Sequence, residues 1–432
     1  MKKEAGYVLD VAYPAHFHRE IQPVWLTALT QFLGSAPPDI TAPYSYCELG
    51  CGVGINLLVA AATNPQGQFV GVDFNERHLA IARDAARSIG LDNIRFIQAD
   101  FAHFARDNNL FFDFIVSHGV WSWIAPGQQQ SILQLLQRSL KPRGLLYLHY
   151  MCHPGATPML PVQKLLNELA HQRAGSAEQN IQAGLELLGR LDAGGAFVDQ
   201  PGLSARLQAL PEKGAAYLAH DFLTDYWRPQ HSADVHRLAA QAGVSFLGSA
   251  EPFDNLERLS IPGNLQPILA SITAPAVRKT VKDLARNQHQ RRDLFQRDPQ
   301  RLSAQQHLQQ LDALRFRLLP GAPGSGAVHF ATPIGPINGP EEIFSPLLQT
   351  LAARPASFAE LRQLPVFAGN VGLLSQSLQM LMWRGHVHPL RPGPAANAQW
   401  LGRLDEWITR QQLRLQVVED CGTAIHHPLD PA

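Results

Sequence analysis

Residues Tyr44 to Gly54 read Y-S-Y-C-E-L-G-C-G-V-G: a short apolar run that ends in an acid, Glu48, and then in three alternating glycines, Gly50, Gly52 and Gly54. Glycine accepts the backbone of a sharp turn and lets the chain pass close to a ligand where a Cβ would collide. Ile55 to Thr63 follows with the apolar density of a helix packed on a sheet. Strand, turn and helix in that order make a cofactor loop. The dinucleotide fingerprint, G-x-G-x-x-G, presents a pyrophosphate to a helix N-terminus. Here the spacing is E-x-G-x-G-x-G, and a carboxylate at that position repels a pyrophosphate while suiting a cationic group.

Two further acids fall in register with this loop. Gln68 to Val72 reads as a buried parallel strand and closes on Asp73; an acid about twenty residues past a glycine loop can take two ribose hydroxyls. Asn93 to Ala99 makes a third strand that ends in Asp100-Phe101. Together these features resemble motif I and its partner motifs in the class I S-adenosylmethionine-dependent methyltransferases. That resemblance implies S-adenosyl-L-methionine as cofactor, with Asp100 and Phe101 at its adenine. Asn56, Phe74 and His78, beside the loop and the second strand end, join the candidate cofactor contacts, as does Tyr13 on an N-terminal segment able to close the site from above.

Methyl transfer from a sulfonium is an in-line displacement that asks for positioning and for an acceptor with a free lone pair. An amine acceptor must first lose its proton, helped by desolvation or by a base. Aromatic rings also attract the cation, at about 0.5 to 2 kcal/mol per contact. The fourth strand, Phe112 to Ser117, delivers His118-Gly119-Val120-Trp121-Ser122-Trp123 at its carboxyl end, and the fifth, Leu145 to Tyr150, ends in H-Y-M-C-H-P-G. His118 is therefore the candidate proton acceptor or relay and a cofactor neighbour. Trp121, Tyr150, Trp123 and Tyr13 are the candidate pocket. Because Trp121 and Trp123 alternate, one can face the site while the other packs inside. His149, Cys152 and His153 invite a zinc reading, but no second ligand pair lies nearby and this transfer needs no metal, so none is expected.

These groups need a sheet to hold them. Five strands alternate with helices, including Glu76 to Ile89 and Pro126 to Leu140, which implies a doubly wound α/β sheet. Gly243 to Leu247 and Leu314 to Leu319 are expected as its sixth and seventh strands, with mostly helical insertions between the fifth and sixth and between the sixth and seventh. After the Pro/Gly linker 320–326, the stretches Glu342 to Leu351, Phe358 to Leu364, Val371 to Arg384 and Val387 to Leu390 read as a small winged-helix-like domain. The expected division is a Rossmann-like core with its lid over 1–160, a helical region over 161–320, the winged-helix-like domain over 327–395 and a tail over 396–432. Within that tail, Gln399 to Gln416 is helical in pattern, and His426-His427 reads as solvated.

The 432 residues carry 36 basic and 36 acidic side chains, and no long basic run announces a nucleic-acid surface. Four cysteines are too few and irregular for a disulfide framework, and no apolar h-region or membrane-spanning stretch is evident, so a soluble cytoplasmic enzyme is expected.

A narrower resemblance rests on C-E-L-G-C-G-V-G (Cys47 to Gly54), F-V-G-V-D-F (Phe69 to Phe74), S-H-G-V-W-S-W-I (Ser117 to Ile124), A-Y-L-A-H-D-F-L (Ala216 to Leu223) and A-G-V-S-F-L-G (Ala242 to Gly248). The chain is similar, from about Tyr13 to Leu390, to bacterial methyltransferases that carry a methyltransferase regulatory domain, among them lysine methyltransferases of outer-membrane proteins. The resemblance implies lysine side chains of a protein, such as an outer-membrane or surface protein, as acceptor. It departs at Tyr150-Met151-Cys152-His153-Pro154-Gly155-Ala156, where the family favours Tyr-Asn and a further aromatic. A glycan or small-metabolite acceptor therefore stays open, as does a cofactor-binding scaffold without turnover.

Overall fold

Near-continuous apolar runs such as Phe69–Val72 and Phe114–Val116 are buried on both faces, as parallel strands covered by helices must be. The computed structural model of the protein describes residues 3–4 and 6–426. Its central sheet is built from β1 (Tyr44–Leu49), β2 (Gly67–Asp73), β3 (Ile94–Gln98), β4 (Phe112–Ser117), β5 (Leu140–Met151), β6 (Val244–Ser249) and β7 (Gln290–Arg297). The spatial order is β3-β2-β1-β4-β5-β7-β6. β1 to β5 pair in parallel, and β7 runs antiparallel to both β5 and β6. This is the seven-stranded, doubly wound Rossmann-like sheet expected from the sequence.

The seventh strand, however, is not Leu314 to Leu319. Arg315–Leu318 pairs instead with Ala356–Ser357 and Val387–Pro389 in a small antiparallel sheet, packed with the helices Glu341–Ala353 and Val371–Arg384. The true seventh strand, Q-R-R-D-L-F-Q-R, hides its identity in its charges. Arg291 pairs with Asp283 and Asp293, and Arg292 with Glu20 and Glu251. Buried polar groups are tolerable when paired in this way, so a strand deep in the sheet can read as a solvated loop.

Two cores sandwich the sheet. On one face Tyr46, Phe114, Tyr147 and Leu294 meet Trp25 and Leu29 of helix Pro23–Phe32, and the same apolar cluster continues into Phe316, Leu347, Phe358 and Leu381 of the small C-terminal unit. On the other face Cys47, Val70, Ile115, Leu146 and Phe295 pack on Leu136 and Val235. The helices between β5 and β6 form a third cluster over Trp123 and Met151. Helix Ala398–Arg410 is no loose tail: Leu404 and Trp407 bury against Leu58 and Ala86, behind the glycine loop. Its expected extension to Gln416 is instead the hairpin Leu415–Val418 with Thr423–His426, and His427 lies outside the described residues. Among the described residues no helix is long and apolar enough to cross a membrane.

Candidate active site

A cavity of about 950 Å³ opens at the carboxyl ends of β1 to β4, where the strand order reverses between β1 and β4 and where open α/β sheets take their ligands. Gly50, Gly52 and Gly54 line the turn after β1 with φ of +74°, +53° and +78°. A Cβ at Gly50 would stand 2.4 Å from Val120 Cγ2 and one at Gly54 2.9 Å from Ala82 Cβ, so packing requires glycine at both. At Gly52 a Cβ would meet nothing within 4 Å. There the backbone itself borders open cavity.

Two buried acids face this loop. Glu48 Oε1 accepts a hydrogen bond from Asn56 Nδ2 at 3.3 Å, while its buried Oε2 has no hydrogen-bond partner among the described residues. Burial pushes this carboxyl up to about 8, with Asn56 opposing and Asp73 adding to the rise. Asp73 Oδ2 accepts the Gly52 N–H at 2.9 Å and Oδ1 the Asn75 N–H at 2.8 Å; burial outweighs these bonds and pushes it up to about 6. His78 Nε2 accepts the Tyr13 N–H at 3.2 Å, which fastens the N-terminal segment to the end of β2. Its Nδ1 lies 3.9 Å from Asp73 Oδ1, and burial holds the ring down to about 4. Phe74, Asp100 and Phe101 wall the far end of the cavity. Asp100 also caps the helix Phe101–Asp107, accepting the His103 N–H at 2.7 Å.

The opposite end is lined by Tyr13, His16, His18, His118, Trp123 and Tyr226. His118 is stacked between His18 and His149, at ring separations of 3.7 and 4.2 Å, and its Nδ1 is 2.8 Å from Tyr147 Oη. Burial, then the charges of His18, His149 and Arg292, hold its pKa well below the usual histidine range. It is a neutral imidazole at pH 7. His18, Glu20 and His118 each offer a ligand atom within 4.8 Å of one another. Glu20, however, is engaged by Arg292 at 3.0 Å, and parallel stacked rings do not aim two lone pairs at one point. His149 and His153 turn to separate partners, the Gly119 N–H and Thr157 Oγ1.

Two residues expected at the acceptor are elsewhere. Trp121 is 1% exposed and packs in the core between the sheet and the helix Pro126–Ser139. A single 3-10 turn spans Trp121–Trp123 and swings their side chains about 120° per residue, so Trp123 alone reaches the cavity. Tyr150 is fully buried and donates to Asp293 Oδ2 at 2.5 Å. The pleat of β5 sends Tyr147 and His149 to one face and Leu148 and Tyr150 to the other. Tyr7, His16, His18 and Tyr226 line the cavity from outside the expected set; the dense aromatic spacing of Tyr7, Tyr13, His16 and His18 is the signal the sequence offers for the first three.

Comparison with known proteins bears on this site. Residues 40–195 match the family described as methyltransferase domain, and residues 214–297 the one described as predicted methyltransferase regulatory domain. An uncharacterized protein of Synechocystis is 30% identical over 387 residues, covering 89% of this chain and 76% of that one. An uncharacterized protein of Rickettsia prowazekii is 31% identical over 146 residues, 34% of this chain and 58% of its own length. PKMT2 from Rickettsia typhi in complex with AdoHcy has a TM-score of 0.69 at 18% identity, covering 89% of this chain and 78% of that one; at that identity the likeness is one of fold. The chain belongs to the S-adenosylmethionine-dependent methyltransferases that carry a methyltransferase regulatory domain. It is an enzyme of that class, and its cofactor is S-adenosyl-L-methionine. The orphaned, buried Glu48 Oε2 and the open face of Gly52 fit a cofactor that carries an ammonium and no phosphate.

Proposed function

We propose that this enzyme methylates lysine side chains of a protein. Glu48, Asn56 and the Gly50–Gly54 turn would hold the amino-acid end of the cofactor, Asp73 its ribose, and Phe74, Asp100 and Phe101 its adenine, with Tyr13 and His78 closing the lid. When bound, S-adenosylmethionine supplies a methyl group on a sulfonium, open to displacement by an amine lone pair. The chain's own contribution beside His118 is a dry wall of stacked imidazoles that favours the neutral amine at the moment of transfer. His118, neutral and with Nδ1 already engaged by Tyr147, offers Nε2 for the acceptor's proton.

The observation that carries the protein reading is an open second cavity of about 880 Å³ that shares His16 and His18 with the first and runs out past Arg384, His386 and His426. A polypeptide lying in this open cleft would run against the histidine wall that it shares with the cofactor cavity, which favours a protein acceptor. The resemblance to lysine methyltransferases that carry a regulatory domain supports the same acceptor. The test is incubation with methyl-labelled S-adenosylmethionine and two pools of one bacterial lysate, its proteins and its glycans with small metabolites. Label in the protein pool is expected; label confined to the other pool contradicts the reading.

A further inference from the structure

The region matched as regulatory begins with the helix Ala215–Phe222, and this helix brings Tyr217, His220 and Asp221 to the lid of the cavity. Tyr13 packs on Tyr217 and His220 at ring separations of 6.2 and 5.3 Å, and Tyr7 packs on His220 at 5.3 Å. Tyr7, Tyr13 and Trp123 line the cavity itself. Asp221 is the acid in their midst. The indole N–H groups of Trp123 and Trp227 both donate to its Oδ1, at 3.1 and 3.2 Å, and no donor among the described residues reaches Oδ2. The side chain nevertheless stays half-buried rather than sealed.

A carboxylate with one free oxygen, set among tyrosine and tryptophan rings, is a recognition site for an organic cation, because rings and carboxylate attract the same charge. Lys213 Nζ lies over the Tyr217 ring, 5.8 Å from its centroid, and its charge lowers the Asp221 carboxyl from a distance. Burial raises the Asp221 carboxyl, and the two indoles and then Lys213 lower it; among the described residues no ion pair engages Oδ2, which leaves it to an arriving ammonium. The cofactor's own ammonium has a partner of its own in Glu48, at the other end of the loop.

We infer that Asp221, with the rings of Tyr7, Tyr13, Trp123 and Tyr217, is the site that selects a primary ammonium as methyl acceptor. The region matched as regulatory thus supplies part of the acceptor site. This inference rests on the lysine reading given above and adds its specificity determinant.

The test is calorimetric titration of the full chain, saturated with S-adenosylhomocysteine, with Nα-acetyl-L-lysine amide and with its Nε-acetylated, neutral counterpart. The cation should bind and the neutral amide should not. Asp221→Asn, which keeps an oxygen for both indoles, should weaken lysine amide binding roughly tenfold or more and leave S-adenosylhomocysteine affinity within about twofold. Tyr217→Leu, which spares those hydrogen bonds, should weaken lysine amide severalfold. Equal binding of the neutral amide, undiminished binding by both variants, or a loss that falls on S-adenosylhomocysteine instead would overturn the assignment. If the lysate proteins still receive label while Asp221→Asn is unimpaired, the cage falls and the lysine reading stands; no label in protein from the unaltered chain removes both.

Discussion

Gly52 donates its backbone N–H to Asp73 Oδ2 at 2.9 Å, so the middle of the glycine turn is tied to the acid that ends the neighbouring strand. One hydrogen bond thereby fixes the two groups that the sequence marks as loop and ribose acid.

Gly52→Val should abolish binding of S-adenosylhomocysteine. A side chain there meets no protein atom within 4 Å, so it fills the cavity rather than the core. The positive φ costs about 1 to 2 kcal/mol for a branched residue. Calorimetry should show no binding while thermal denaturation shows a folded protein; retained binding would displace the cofactor from this turn.

Cofactor affinity should rise with pH. Glu48, ordinarily near 4.5, is pushed up to about 8 in the free protein, so it is largely protonated at pH 7. An ammonium ligand favours the carboxylate, and binding then expels a proton. Affinity for S-adenosylhomocysteine is expected to climb between about pH 6 and 8 and to level off above. The free protein should run the other way: the folded pKa of Glu48 lies above the unfolded one, so its contribution is full below about pH 4.5 and stability should fall from there to about pH 8. Glu48→Gln should flatten both profiles, as read by calorimetry and melting curves; an unchanged slope would clear Glu48.

The two tryptophans should separate fold from function. Trp121→Ala removes a buried ring and should destabilise by about 3 to 5 kcal/mol. Trp123→Phe should cost much less stability, about 1 to 3 kcal/mol for the hydrogen bond lost to Asp221, while slowing transfer. Equal effects on stability would contradict their placement on opposite sides of the turn.

Tyr150→Phe should act on stability alone. Removing the donor to Asp293 leaves a buried acid with Arg291 and His236 still attached, at about 1 to 3 kcal/mol. Denaturant titration reads the loss. A slowed turnover at unchanged stability would return Tyr150 to the acceptor.

His118→Ala should slow methyl transfer and leave S-adenosylhomocysteine affinity within about threefold, because the ring stands at the acceptor end. An unchanged rate would reduce the ring to packing between His18 and His149.

The sheet was legible where chemistry and hydrophobicity coincide. Glu48, the glycines and Asp73 each sit at a strand end whose apolar run announces it, and the helix Glu76–Ile89 falls where its pattern and the Gly90 stop place it. Legibility failed where tertiary partners reverse local character. β7 is charged because its arginines are paired across the fold, and Leu314–Leu319 is apolar because it serves the C-terminal unit. Trp121 and Tyr150 had the right residue types and the wrong face, a matter of one 3-10 turn and one pleat. The helix that brings Asp221 to the lid lies some 170 residues from the glycine loop in the chain, a separation that no local pattern spans.

The most direct test is acid hydrolysis of lysate protein labelled by the purified enzyme from methyl-labelled S-adenosylmethionine. Recovery of the label as methyl-lysine, absent when Gly52→Val replaces the unaltered chain, is the expected result. Label recovered on any other residue, or undiminished by Gly52→Val, would contradict the account.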